Sequence, residues 1–112
     1  MPTADGLTAA QIDAFHRDGF VLAPGFFDAA EMQRIAEWTA EVAAWPEAPG
    51  RHMVYYEDSL TEAGTRVVQR IEDVTPFHAG FRGLFADHRI TAAVSALLGE
   101  PAVLFKDKIN FK

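Results

Sequence analysis

No cysteine occurs among the 112 residues. That excludes disulfides, thiolate nucleophiles and cysteine-ligated zinc or iron–sulfur centres. It suits a reducing compartment, and the expectation is a cytoplasmic protein. Long apolar runs are also missing: none approaches the roughly 20 residues of a membrane span. The opening Met1-Pro2-Thr3-Ala4-Asp5-Gly6 has neither a basic nor an apolar region, so it does not read as a signal peptide. Cations are in the minority, 10 Lys and Arg against 16 Asp and Glu, giving a net charge of −6. Such a balance argues against a nucleic-acid face. There is no internal repeat, low-complexity tract or second domain, so residues 1–112 read as one domain. Nor does the chain contain H-E-x-x-H, G-x-S-x-G or a phosphate-cradling glycine loop. Its motifs alone name no catalytic residue.

What is present is an ordinary globular balance, 49% apolar and 23% charged, with nine phenylalanines and two tryptophans for a core. Thr8 followed by Gln11 has capping-box spacing and predicts a helix that Gly19 ends. Phe20-Val21-Leu22 reads as a short strand. Asp28 with Glu31 opens a second helix carrying the stripe Ile35, Trp38, Val42 and Trp45, and Pro46 closes it. Met53 to Tyr56 and Arg66 to Val74 are strand candidates. On the longer strand, strict alternation puts Val68, Arg70 and Glu72 on one face and Val67, Gln69, Ile71 and Asp73 on the other. Thr75-Pro76 predicts a helix start with proline at its first position. Asp87 caps a last helix bearing Ile90, Val94, Leu97 and Leu98, with Gly99 behind it. Val103 to Phe111 reads as strand.

Three features invite chemistry. His16-Arg17-Asp18 spells the H-x-D of non-haem iron sites, but residues two apart on a helix diverge and do not share a ligand. A histidine in a last helical turn is accounted for by the helix dipole. His78 and His88 read as surface or packing residues at helix starts. The terminal stretch places Lys106, Lys108, Asn110 and Lys112 on one strand face. Lysines so arranged either blunt an exposed sheet edge or build a pocket for an anion. Arg70, in mid-strand, needs a partner: an ion pair with the Glu72 neighbourhood or Asp107, or a ligand carboxylate, which guanidinium geometry suits.

Three stretches carry a resemblance. Leu7-Thr8-Ala9-Ala10-Gln11-Ile12-Asp13-Ala14-Phe15-His16-Arg17-Asp18-Gly19-Phe20-Val21-Leu22-Ala23-Pro24-Gly25-Phe26-Phe27 resembles the opening of the phytanoyl-CoA dioxygenase family. Lys108-Ile109-Asn110-Phe111-Lys112 resembles that family's strand before its iron-binding H-x-D. Arg70-Ile71-Glu72-Asp73 is similar to a middle strand in which a branched residue and an acid follow a basic one.

The resemblance implies an α+β chain, with N-terminal helices plus the first strands of a double-stranded β-helix of jelly-roll or cupin type, incomplete in this chain. It implies an Fe(II)- and 2-oxoglutarate-dependent oxygenase that hydroxylates a small-molecule or acyl substrate. The family's iron ligands and main cosubstrate arginine are expected beyond Lys112, so these residues alone should bind neither group firmly and should be inactive. Arg70 and Asn110 match positions that face 2-oxoglutarate, Lys108 shares the strand face of Asn110, and Tyr55 with Tyr56 would line the substrate side. The rival expectation is a non-catalytic interaction or oligomerisation module that self-associates through open sheet edges. Neither nucleic acid nor membrane is an expected partner.

Overall fold

Local capping decides where most helices begin and end. The computed structural model describes residues 6–111. Helix α1 (Ala9–Asp18) starts at a full capping box: the Gln11 N–H donates to Thr8 Oγ1 at 3.1 Å and the Thr8 N–H to Gln11 Oε1 at 2.8 Å. It stops at Gly19, whose φ of 83° is a left-handed conformation that glycine reaches at no steric cost. Helix α2 (Ala29–Ala43) repeats the device with Asp28 and Glu31. Helix α4 (His88–Leu98) lies between Asp87 and Gly99, as the sequence predicts. At the entry to α4, Arg89 bridges Asp87 and Glu31, tying α4 to the start of α2. The Arg89 hydrogen bond holds the Glu31 carboxyl well below its ordinary range, to about 2. Between the other ends, the His16 ring meets the Leu97 carbonyl at 2.9 Å and ties α1 to the last turn of α4.

The remaining helix corrects the sequence reading. Helix α3 (Ala79–Phe85) begins three residues after Pro76. Thr75 to Phe77 form a turn instead, whose carbonyls at Thr75 and Pro76 accept from Arg82. The N-cap is His78, of the two readings a packing residue and not a surface one: the Phe81 N–H donates to Nδ1 at 3.1 Å, and Nε2 faces Glu41 at 3.3 Å. His88, by contrast, is exposed.

Strands β1 (Met53–Asp58), β2 (Arg66–Glu72) and β3 (Lys108–Asn110) form an antiparallel sheet in the order β1-β2-β3. Two expected strands change. Phe20-Val21-Leu22 is irregular, with Phe20 63% and Leu22 75% exposed, and no strand among the described residues pairs with it. The segment from Val103 pairs only over three residues. Val103 and Phe105 stand in solvent, and Asp107 turns inward to bind the chain after β2. Lys106 is therefore not on a strand, and Lys112 lies outside the described residues. Strand β2 ends at Glu72, since Asp73 adopts a φ of 61°.

The core lies between one sheet face and the helices. Val42, Ile71, Val74 and Phe81 are its buried centre, surrounded by Trp38, Trp45, Val54, Val68, Ile109 and Phe111. Among the described residues the arrangement is α+β, four helices and a small sheet, and it is open. Its radius of gyration is 16.7 Å, against about 13 Å for a closed domain of this length. The second face of the sheet carries no layer among the described residues. Among the same residues, no helix is long and apolar enough to cross a membrane.

Candidate functional site

A β-bulge organises the uncovered sheet face. Tyr55 pairs with Arg70, yet Tyr56 pairs with Val68, so Gln69 is the extra residue on β2. An inserted residue reverses the alternation beyond it. Val68 and Ile71 consequently both face the core, whereas Gln69, Arg70 and Glu72 share the open face. This corrects the strict alternation expected for β2, which grouped Val68 with Arg70 and Gln69 with Ile71. No pattern in the chain announces a bulge at Gln69, because its cause is the pairing with a strand a dozen residues away.

The register then lines up side chains that are far apart in the chain. Arg70 lies opposite Tyr55 of β1 on one side and Asn110 of β3 on the other. One step along, Glu72 lies opposite Met53 and Lys108. Tyr55, Arg70, Asn110 and Lys108 are thus brought to one face. Tyr56 is not among them: it lies on the other side of the sheet, and the Arg66 guanidinium covers its ring at 3.8 Å. Lys108 and Asn110 are exposed and β3 is an outer strand, so edge protection and anion capture are both open to them.

Arg70 is held on three sides. Its Nε donates to Glu72 Oε2 at 2.6 Å, its Nη1 donates to Gln69 Oε1 at 2.9 Å, and its guanidinium carbon stands 3.9 Å from the Tyr55 ring centroid. Glu72, not Asp107, is therefore its ion-pair partner. That hydrogen bond is the main reason the guanidinium is held charged even beyond its normal range. The Gln69 amide also donates to Glu57 at 3.3 Å, which anchors the outer end of the group. Beside Glu72 opens a hollow of about 380 Å³, lined also by Met53, Lys106 and Asp107. The ensemble can present a fixed cation, a mobile ammonium and an amide to a small anion.

Sequence reading offers Glu72 as a partner of Arg70 but misses Gln69. His52, one of the chain's four histidines, is buried against Trp45 with both ring nitrogens lacking a hydrogen-bond partner among the described residues. Only burial reveals that feature. Among the described residues, no three histidine, aspartate or glutamate side chains converge to hold a metal. Iron therefore does not fit the residues present, whereas the donor set around Arg70 fits a small anion such as a carboxylate.

Comparison with known proteins adds to this geometry. A family model described as phytanoyl-CoA dioxygenase matches residues 15–112. The chain is 43% identical over 105 residues to a 2-aminoethylphosphonate dioxygenase from uncultured bacterium HF130_AEPn_1, covering 94% of this chain and 40% of that protein. A methylphosphonate hydroxylase from Gimesia maris is 40% identical over 106 residues, with 95% of this chain and 40% of the relative covered. An ectoine dioxygenase from Bordetella bronchiseptica is 30% identical over 109 residues, 97% of this chain and 34% of that enzyme. The chain thus spans about 40% of the length of the first two relatives. No solved structure matches it significantly.

Proposed function

The chain belongs to the phytanoyl-CoA dioxygenase family, and from that premise we propose that it supplies one wall of an Fe(II)- and 2-oxoglutarate-dependent dioxygenase. In this reading the four helices and three strands are the first part of a double-stranded β-helix. The substrate is a small phosphonate, a choice supported by the two relatives named for such compounds. The reaction converts R–H, O₂ and 2-oxoglutarate into R–OH, CO₂ and succinate. Iron, when bound, supplies the oxidising centre; the residues described here do not hold it, and no step is assigned to it. A cytoplasmic setting is part of the proposal, supported by the cysteine-free composition.

The observation that carries this reading is the row Tyr55–Arg70–Asn110 with Lys108 beside it. Arg70 would meet a carboxylate of 2-oxoglutarate with a charge-assisted hydrogen bond, and the Asn110 amide would donate to a second oxygen. Lys108 would add a second positive charge facing the dianion, and Tyr55 would hold the guanidinium plane in place by stacking. Titration with 2-oxoglutarate, followed by NMR, tests the assignment. The Arg70 Nε–Hε and Asn110 side-chain signals are expected to shift together in a weak, saturable response, on the order of 1 mM. Arg70→Ala should abolish the response with the fold intact. Saturable shifts that survive Arg70→Ala would remove this face from the proposal.

A second reading has its own support. Strands β1 and β3 are both outer strands, and Val103 and Phe105 stand 87% and 91% exposed beside β3. Open edges and apolar surface favour self-association, as in an interaction or oligomerisation module. Sedimentation equilibrium is expected to show concentration-dependent association that Phe105→Asp suppresses. A monomer at every concentration would leave the oxygenase reading alone.

A further inference from the structure

We propose that Glu72 is a positioning residue: it sets the guanidinium of Arg70 for an incoming dianion rather than merely neutralising it. The inference rests on the reading of Arg70 as the anion grip.

The geometry separates two roles that a carboxylate beside an arginine can play. A plain counter-ion would compete with the ligand, so its removal would tighten binding. A positioning group would fix the arginine in its binding orientation, so its removal would loosen binding. Glu72 has the second arrangement. It takes only Nε, at 2.6 Å, while Gln69 takes Nη1 and the Tyr55 ring covers one face of the plane. Among the described residues no carboxylate or amide oxygen takes Nη2, which can turn to a ligand oxygen. An arginine side chain is otherwise a long rotor, and freezing it during binding costs affinity. Here the cost is met during folding.

The placement of Glu72 supports this. Its side chain is 18% exposed, against 33% for Arg70, so the acid sits beneath the cation rather than in front of it. It also lies opposite Lys108 in the register, so a single acid stands between the two cations of the face. The bulge at Gln69 makes the clamp complete, because in strict alternation Gln69 would share the core face with Ile71.

The experiment uses the intact chain and two probes, 2-oxoglutarate and methylphosphonate, with Glu72→Ala and Glu72→Gln compared by NMR titration. Glu72→Gln keeps an acceptor for Nε and removes the charge; Glu72→Ala removes both. Positioning predicts that Glu72→Ala weakens binding about three- to tenfold, the equivalent of freezing one long side chain, while Glu72→Gln stays close to the parent. In the ligand-free protein, the Arg70 Nε–Hε signal should be protected from exchange in the parent and in Glu72→Gln, and lost in Glu72→Ala. Binding that tightens in both variants would make Glu72 a simple counter-ion and overturn the inference. Should Arg70→Ala bind as the parent does, the reading of the site itself fails; should only Glu72→Ala bind normally, the inference alone fails.

Discussion

Replacing Asp107 with alanine is expected to destabilise the fold by about 3 kcal/mol and to detach β3 from the sheet. The Asp107 carboxylate is buried, and it accepts from the Val74 N–H at 2.7 Å, the Thr75 hydroxyl at 2.7 Å and the Thr75 N–H at 3.4 Å. Val74 is fully buried, so its amide would be left without water or a partner. One orphaned buried donor costs about 1–3 kcal/mol, and bonds to a charged acceptor stand at the upper end. The backbone is involved as well: Asp73, in its left-handed conformation, donates to the Asp107 carbonyl. Strand β3 has only three paired residues, so this clamp is its main attachment. Asp107→Asn keeps one acceptor oxygen and should cost markedly less. Denaturant midpoints, with hydrogen exchange at the Phe111 amide that bonds Gln69, measure both effects. Equal stability of the alanine variant and the parent would show that the clamp contributes nothing. Because Lys108 and Asn110 reach the candidate site only through β3, the same substitution should abolish their share of ligand binding.

Two glycines in α3 are expected to respond to alanine with opposite signs. In a helix interior, Gly→Ala ordinarily stabilises by about 0.5–1 kcal/mol, since glycine loses more backbone entropy on folding. Gly83 has open space where a Cβ would stand, with nothing within 4 Å, so Gly83→Ala should follow that rule. At Gly80 a Cβ would stand 2.4 Å from Cε2 of the Trp38 indole. That ring is wedged against His78 and Phe81, at centroid distances of 5.9 and 5.7 Å, and cannot step aside freely. Overpacking of this kind costs about 1–3 kcal/mol, which exceeds the propensity gain. Gly80→Ala should therefore lower the thermal midpoint while Gly83→Ala raises it. A rise in both would mean that α2 and α3 separate without penalty.

How much of this was legible beforehand varies with distance along the chain. The caps at Thr8, Asp28 and Asp87 and the stops at Gly19 and Gly99 stand where the sequence puts them, because each is an interaction within three or four residues. Arg70 in mid-strand calls for a partner, and Glu72 is the nearer of its two acidic candidates. The start of α3 is not legible because Pro76 is locally suited to a first helical position, while the turn is held by Asp107 and Arg82. His78 gave no sign of capping, since its role depends on burial under Trp38 and Trp45.

The amino-acid order by itself settled the α+β class, three of the four helix starts and the family. Those rest on neighbours along the chain and on letters that align. Tertiary structure alone decided which residues share the open face. The bulge at Gln69 and the short pairing of β3 exchange side chains between faces, and both arise where strands distant in sequence must match their hydrogen bonds. A single extra residue in one strand cannot be seen until its partner is beside it, and here that residue is Gln69, turned towards Arg70.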